Sequence, residues 1–444
     1  MVTQALKVWM NGELVGAWSV VRDIHAFRYA PEWLTSPRCR SLSQSIPISS
    51  SLEIKGEVVK NYFDNLLPDN ERIRSRLRAR FKTRSTDIFD LLDAIGRDCV
   101  GAVQLLPENA VPDGWNRIEC EPLSERQILA ILQAVPADTA PENMHDDDLF
   151  RISIAGAQEK TAFIRHENRW CRPHGATPTT HIFKLPLGLI GGSRRVDAMD
   201  SVQNEWLCAG IMRTLGFPVA QTSMAQFGGQ SVLIVERFDR APADGGAWIA
   251  RLPQEDFCQA LGLPPQKKYE ADGGPGIAEC MPLLQKSLER SDVAFFLKTQ
   301  LAFFLLAATD GHAKNFSIFL KPGDAYEMTP LYDILSMYPY FGNGPNQFNQ
   351  RHAGPAMALR SKNVHKHFYT IHARHWRQLA MEYGGQDIWS GMLELARRVK
   401  PALLAMKTQL PDGFPKRTWL AVSKGMHGAA EKFLSEAEAL KAAH

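Results

Sequence analysis

Asp310 and Asn315 stand five residues apart in the stretch ATDGHAKNFSIFLKPGDAYEMTPLYD, which Asp333 closes. Two carboxylates and a carboxamide make a set of hard oxygen donors. Phosphoryl transfer needs such a set. One carboxylate orients or deprotonates the attacking hydroxyl, and the carboxamide and second carboxylate hold Mg2+ against the phosphates of ATP. The five-residue offset equals that of the Asp and Asn in a protein-kinase catalytic loop. The run FSIFL predicts a strand, Lys321 to Asp324 a turn, and the residues up to Asp333 a second strand that returns Asp333 beside Asn315. Spacing alone also fits a plain turn at Asp310-Gly311, a strand cap at Asn315 and a helix cap at Asp333.

The remaining parts of a phosphate-handling site lie upstream, in order. Ile154, Ala155, Gly156, Ala157 and Gln158 form a small-residue turn between strands, suited to cover phosphates. Lys184 sits in the apolar run HIFKLPL, where an ammonium is costly unless paired. Glu205 follows 21 residues later inside DSVQNEWLCAG, placed to hold that lysine. VLIVERFDR ends a strand with Glu236, Phe238 and Asp239. A hinge of that kind offers backbone to adenine edges, and Asp239 offers acceptors to ribose hydroxyls. Singly, Lys184 also reads as a lysine reaching solvent from an edge strand, and Glu205 as part of a solvated helix face.

Around these residues the chain must build elements to hold them. Its 444 residues carry 45% hydrophobic and 22% charged side chains, as expected of a globular chain of two to three domains. Lys+Arg 51 against Asp+Glu 48 leaves +3, so no global charge drives binding to nucleic acid or membrane. The seven cysteines are odd in number with no CxxC pair, which argues for reduced thiols and a cytoplasmic setting. No signal peptide is expected, and the most apolar run, 293–308, is too short and too interrupted to span a membrane, so it reads as a buried helix. Asn11-Gly12 between apolar runs predicts a hairpin. Helices are expected over 57–66, 71–82 and 87–95, a strand follows in VGAVQLLPE, and Ser124 to Gln127 opens a further helix as a capping box. The expected organisation is a small mixed module over 1–110, a connector over 111–149, a sheet-rich lobe over 150–245 and a helical lobe over 246–444. A sheet-rich lobe followed by a helical one suits a nucleotide held between them.

Long stretches resemble one family, the HipA serine/threonine kinases, toxin components of bacterial toxin–antitoxin pairs. They include FRISIAGAQEKTA (150–162), TPTTHIFKLP (177–186), VERFDR (235–240), RLPQEDFCQ (251–259), KYEADGGPGIA (268–278), TDGHAKNFSIF (309–319) and PLYDILS (330–336). FRYAPEWL (27–34), FDNLLPD (63–69) and IGRDCVGAVQL (95–105) match in the N-terminal module. The resemblance implies a protein-kinase-like HipA fold with an α/β (α+β) N-terminal part, an all-helical C-terminal lobe and an ATP cleft between lobes. It implies Asp310 as base, Asn315 and Asp333 as Mg2+ ligands, and Lys184 on the ATP phosphates. Glu236, Phe238 and Asp239 would hold the adenosine. His312 and Lys314 would share the catalytic loop, with Lys314 neutralising transferred charge, and Ser153 would be autophosphorylated. The implied partners are a HipB-like helix-turn-helix antitoxin, operator DNA bound through the toxin–antitoxin complex, and a protein substrate such as an aminoacyl-tRNA synthetase.

Two other readings compete: a catalytically idle co-repressor of a helix-turn-helix protein, and a kinase of a small-molecule or lipid acceptor. Residues 72–84 carry seven positive charges and no negative one, which fits either a solvated helix face or contact with nucleic acid. His365, His367, His372 and His375 cluster without a clean zinc-ligand spacing. The counterpart of residues 342–378 is not placed by the resemblance.

Overall fold

The computed structural model describes residues 4–137, 158–190 and 196–442. They fall into two compact units, each discontinuous in sequence. Unit 1 lies within Met1–Leu185, Ala225–Lys268 and Ser317–Glu327, and unit 2 within Pro186–Met224, Tyr269–Phe316 and Met328–His444.

Unit 1 opens with β1 (Gln4–Met10), β2 (Glu13–Val21), β3 (Ile24–Tyr29), β4 (Glu53–Lys55) and β5 (Gln104–Pro107), in the sheet order β4-β3-β2-β1-β5. Leu6, Val8 and Met10 of β1 point inward at period two and are buried. The expected hairpin forms: Asn11 and Gly12 take φ of 47° and 82°, the paired left-handed values of a tight β1–β2 turn. One face of the sheet is covered by α2 (Glu57–Asp64) and α4 (Ile88–Ile95), with α1 (Pro31–Leu34) and α3 (Glu71–Phe81) in the same module. Trp18 anchors that core, stacked on Phe63 at 4.1 Å between ring centroids.

The second sheet holds β6 (Cys120–Pro122), β7 (Lys160–His166), β8 (Arg169–Pro173), β9 (His181–Lys184), β12 (Thr222–Phe227) and β13 (Gln230–Glu236), ordered β12-β13-β9-β7-β8-β6. Helix α5 (Glu125–Ala134) starts at the Ser124 capping box and buries Ile128, Ile131 and Leu132 against Phe163, Phe183, Val232 and Ile234. The stretch read as a connector thus supplies an edge strand and a core helix of this sheet. Three more short strands follow, two of them in the stretch around FSIFL that was expected to form strands and one where the helical lobe was expected. β16 (Gln254–Asp256), β17 (Ser317–Leu320) and β18 (Tyr326–Met328) form a sheet, beside the β14 (Arg240–Ala243) and β15 (Trp248–Arg251) pair and α7 (Phe257–Ala260). Strands of three or four residues are too short to show a period of two.

Unit 2 is mainly helical. It contains the strand pairs β10 (Gly188–Ile190) with β11 (Val196–Ala198) and β19 (Leu359–Arg360) with β20 (Val364–His365). Its helices are α6 (Ser201–Thr214), α8 (Ile277–Leu284), α9 (Asp292–Leu306), α10 (Ala373–Tyr383), α11 (Gly385–Lys407) and α12 (Lys416–Ala442). α9 is apolar on nearly all sides and accordingly buried, packed against α11 and α12. Among the described residues no helix is long and apolar enough to cross a membrane.

Candidate active site

The segment that carries Asp310 begins where α9 stops. Ala307 takes φ 50°, a left-handed position that ends the helix, and Ala308 N donates to Phe303 O at 2.9 Å. The last carbonyls of the helix are satisfied by one later segment. Leu305 O accepts from the Tyr338 hydroxyl at 3.0 Å, Leu306 O from Ser336 Oγ at 2.7 Å, and Ala307 O from Met337 N at 3.0 Å. Asn204 of α6 clamps Ser336 in turn, its Nδ2 donating to Ser336 O at 2.8 Å and its Oδ1 accepting from Ser336 N at 3.1 Å.

The loop that follows closes on the Asp310 carbonyl, which accepts from His312 N at 2.8 Å and from Asn315 Nδ2 at 2.6 Å. The second bond spends the nitrogen end of the Asn315 carboxamide, so its Oδ1 is the end turned elsewhere. The Asp310 side chain is 51% exposed, and His312 Nε2 stands 3.7 Å from its Oδ1. The Tyr269 hydroxyl donates to that same oxygen, and the Tyr269 and His312 rings meet edge-on at 4.7 Å. His312, Lys314 and Asn315 are buried. The strand expected to run to Asp333 ends at Met328, before Thr329-Pro330. The return to the loop is made instead by Tyr332, whose hydroxyl donates to Lys314 O at 2.8 Å. Asp333 itself sits half-buried at φ 58°, a left-handed position that aspartate tolerates better than most residues. Tyr269 and Tyr332 carried no assignment from sequence. Tyr269 lies in the turn-rich stretch KYEADGGPGIA, 41 residues from its partner.

In unit 1, Lys184 is buried in β9, paired in register with Leu233 of β13 and Lys160 of β7. Gln158 Nε2 donates to Leu185 O at 2.5 Å, and Leu185 N donates to Glu159 O at 3.2 Å, so the chain entering β7 is stitched to the end of β9. Ser153, Ile154, Ala155, Gly156 and Ala157 lie outside the described residues. Glu236 ends β13, exposed and opposite His181, and Phe238 meets Phe319 edge-on at 5.8 Å. In unit 2, Glu205 is buried within α6 and does not belong to a solvated helix face.

Asp239 requires a correction. Read as a ribose acceptor, it is 5% exposed with both oxygens engaged inside unit 1. Oδ1 accepts from Arg237 Nε at 3.0 Å, while Oδ2 accepts from Gly101 N at 2.7 Å and from Arg237 Nη2 at 2.9 Å and lies 3.0 Å from Arg240 in an ion pair. Asp98 completes the cluster with Arg237, Arg240 and Arg251. Burial alone would push both carboxyls up. The guanidinium groups outweigh it and hold Asp98 and Asp239 below the usual carboxylate range. The carboxylate is thus buried and engaged on both oxygens within unit 1, as part of the architecture.

Much of the basic stretch over 72–84 is likewise spent within unit 1. Arg74 pairs with buried Asp64 at 2.7 Å, Arg76 pairs with Glu159, and Arg80 donates to Ala134 O at 2.5 Å. In the histidine group, His365 stacks on His375 at 3.8 Å and His372 pairs with Glu436 at 3.0 Å. Among the described residues, no three His, Cys, Asp or Glu side chains come together as a metal site. Mg2+ is commonly held in another way, by one or two carboxylates together with water and phosphate oxygens.

An exposed carboxylate bonded by the Tyr269 phenol, followed by a carboxamide turned by its bond to the Asp310 carbonyl, suits the kinase class. The comparisons with known proteins make the family plain. Residues 152–409 match the HipA-like C-terminal domain, and residues 6–106 match the HipA N-terminal domain. The protein Y4mE of Sinorhizobium fredii is 34% identical over 353 residues, covering 77% of this chain and 79% of that protein. The serine/threonine-protein kinase toxin HipA of Shewanella oneidensis is 27% identical over 425 residues, covering 90% and 88%. The solved Shewanella oneidensis complex of HipA, HipB and operator DNA contains a chain of the same fold, with TM-score 0.79 at 23% identity, covering 98% of this chain and 99% of that one. The chain is a kinase that belongs to the HipA family.

Proposed function

We propose that the chain transfers the γ-phosphoryl group of Mg-ATP to a serine or threonine hydroxyl of a protein, and acts as the toxin of a bacterial toxin–antitoxin pair. The observation that carries this reading is the Asp310 loop: a half-exposed carboxylate, fixed by Tyr269 and by the Asn315 bond to its carbonyl. In the proposed reaction Asp310 accepts the hydroxyl proton, the serine or threonine oxygen bonds to the γ-phosphorus, the bond to the β–γ bridging oxygen breaks, and ADP leaves. Asn315 and Asp333 would hold Mg2+, which when bound neutralises charge on the phosphate oxygens. Lys314 and Lys184, both buried, would bring positive charge to the phosphates. Glu236 and Phe238 would face the adenine, with His312 and Gln158 in support. Roles for Ser153 as an autophosphorylation site and for Ile154 to Ala157 over the phosphates rest on the family resemblance.

The relatives support the finer reading. One is named a serine/threonine-protein kinase toxin, and the Shewanella complex joins HipA to HipB and operator DNA. The proposed partners here are an antitoxin and operator DNA bound through it, and, on the family resemblance, that antitoxin is a helix-turn-helix protein and the target an aminoacyl-tRNA synthetase. Seven free cysteines support a cytoplasmic protein. The test is transfer of labelled phosphate from ATP to proteins of a cell lysate. Wild type labels at least one protein, whereas Asp310→Asn and Asp333→Asn lose labelling by roughly 10²–10⁴-fold for the base and at least as much for the metal ligand. Near-normal labelling by folded Asp310→Asn overturns the assignment.

A further inference from the structure

Tyr269 and Glu270 form an arm that ends on the base. The Tyr269 carbonyl accepts from Asp272 N at 3.1 Å and Gly274 N at 2.9 Å, so the backbone there is folded back as a tight turn, with Gly273 at φ 81°. Glu270 fastens the arm. Its Oε2 accepts from Ala358 N at 2.6 Å, its Oε1 pairs with the Arg360 guanidinium, and its side chain is only 11% exposed. At the free end of the arm, the Tyr269 hydroxyl donates to Asp310 Oδ1 while the ring rests edge-on against His312. All these residues belong to unit 2.

We propose that Tyr269 is a positioning residue for Asp310, and that Glu270 holds it in place through Ala358 and Arg360. The proposal rests on the kinase reading above. A carboxylate turns about its Cβ–Cγ bond, and a donor on one oxygen fixes the carboxylate plane and so the direction of the other. The phenol does this without adding positive charge, so it orients the base while leaving it able to take a proton. An arginine in the same place would sequester it, as arginines do at Asp239. The edge contact with His312 fixes the phenol itself. The 342–378 region, unplaced by sequence, acquires a role, because Ala358 and Arg360 at β19 anchor the arm. Misplacing a reacting group by an ångström costs on the order of a hundredfold in rate, so the arm acts on turnover rather than on nucleotide binding.

The test is steady-state phosphoryl transfer by the full chain, with ATP binding measured separately. Tyr269→Phe keeps the ring and removes the hydroxyl. It lowers kcat by roughly ten- to a hundredfold, with the ATP Kd and KM within twofold of wild type and an unchanged melting temperature. Glu270→Gln weakens both anchors and lowers kcat in the same direction by less. It carries the same reading should Tyr269→Phe not fold. Unchanged kcat in the folded variants overturns the proposal, as does a loss that falls on KM for ATP. A rise in kcat overturns it too, because the phenol would then be blocking Asp310 rather than aiming it. A wild-type chain that binds ATP yet transfers nothing overturns the kinase reading itself, and the proposal with it.

Discussion

Asp239 and Asp310 are the same residue type held in opposite ways. In unit 1, Asp239 is 5% exposed and enclosed by Arg237 and Arg240, with Asp98 and Arg251 completing the cluster. In unit 2, Asp310 is 51% exposed and oriented by a phenol, with an imidazole nearby. Arginines neutralise a carboxylate, fill its lone pairs and fix the chain around it. A phenol aims a carboxylate and leaves its charge in place. The first arrangement serves architecture, tying the segment after α4 to the end of β13. The second suits chemistry.

The contrast breaks first on stability. Asp98→Asn or Asp239→Asn leaves buried guanidinium groups without their counter-charge and costs about 3–5 kcal/mol, read as a lower urea midpoint, whereas Asp310→Asn shifts that midpoint little while abolishing transfer. The same cluster sets an acid limit. Asp98 and Asp239 have depressed folded-state pKa values, so their contribution is fully present above the ordinary carboxylate pKa of about 4 and is lost as the pH falls below it. Melting curves between neutral pH and pH 3 show the loss, and Asp98→Asn flattens it.

Glu255 sharpens the comparison as a buried carboxyl that, among the described residues, is met by Gln44 and Ser43 rather than by arginines. It is fully buried in β16, its Oε1 accepts from Gln44 N at 2.9 Å, and burial pushes it up to about 8. The sign is opposite to that of Asp98. Between about 4.5 and 8 the unfolded chain releases a proton that the folded chain keeps, so this residue makes stability fall as the pH rises through that window. Glu255→Gln removes the slope, and denaturation at pH 6 and 8 reads it. The smallest effect belongs to the surface. The pair between Arg28 and Glu53 joins side chains 68% and 27% exposed, and Arg28→Ala changes stability by about 0.2–1 kcal/mol.

What was legible in the sequence was local. Asn11-Gly12 announces its turn, Ser124 with Gln127 its helix start, and the apolar run of α9 its burial, because each depends on neighbours within a few residues. The Asp310–Asn315 spacing was legible for the same reason: the carboxamide bonds the carbonyl five residues back. Asp239 was misread because its surroundings are non-local. Arg237 and Arg240 stand beside it in sequence, but Gly101 reaches it from 138 residues away, and Asp98 comes with it. Tyr269 escaped notice because a tyrosine in a turn-rich segment carries no signal of the aspartate it will meet. The short strand β16 escaped because nothing in three residues separates strand from loop, whereas the FSIFL strand and its return were legible from the apolar run and the turn between them.

The capping of α9 has a consequence for the order in which the molecule is made. The carbonyls of Leu305, Leu306 and Ala307 accept from Tyr338, Ser336 and Met337, about thirty residues further on. Left without partners in a buried setting, such groups cost about 1–3 kcal/mol each. The helix can form early from local contacts, but the turn that leads out of it to Asp310 cannot settle until the chain past Asp333 has been synthesised and has docked. The base therefore reaches its working place late in assembly, and a nascent chain released before Ser336 would carry the residues of the loop without its shape.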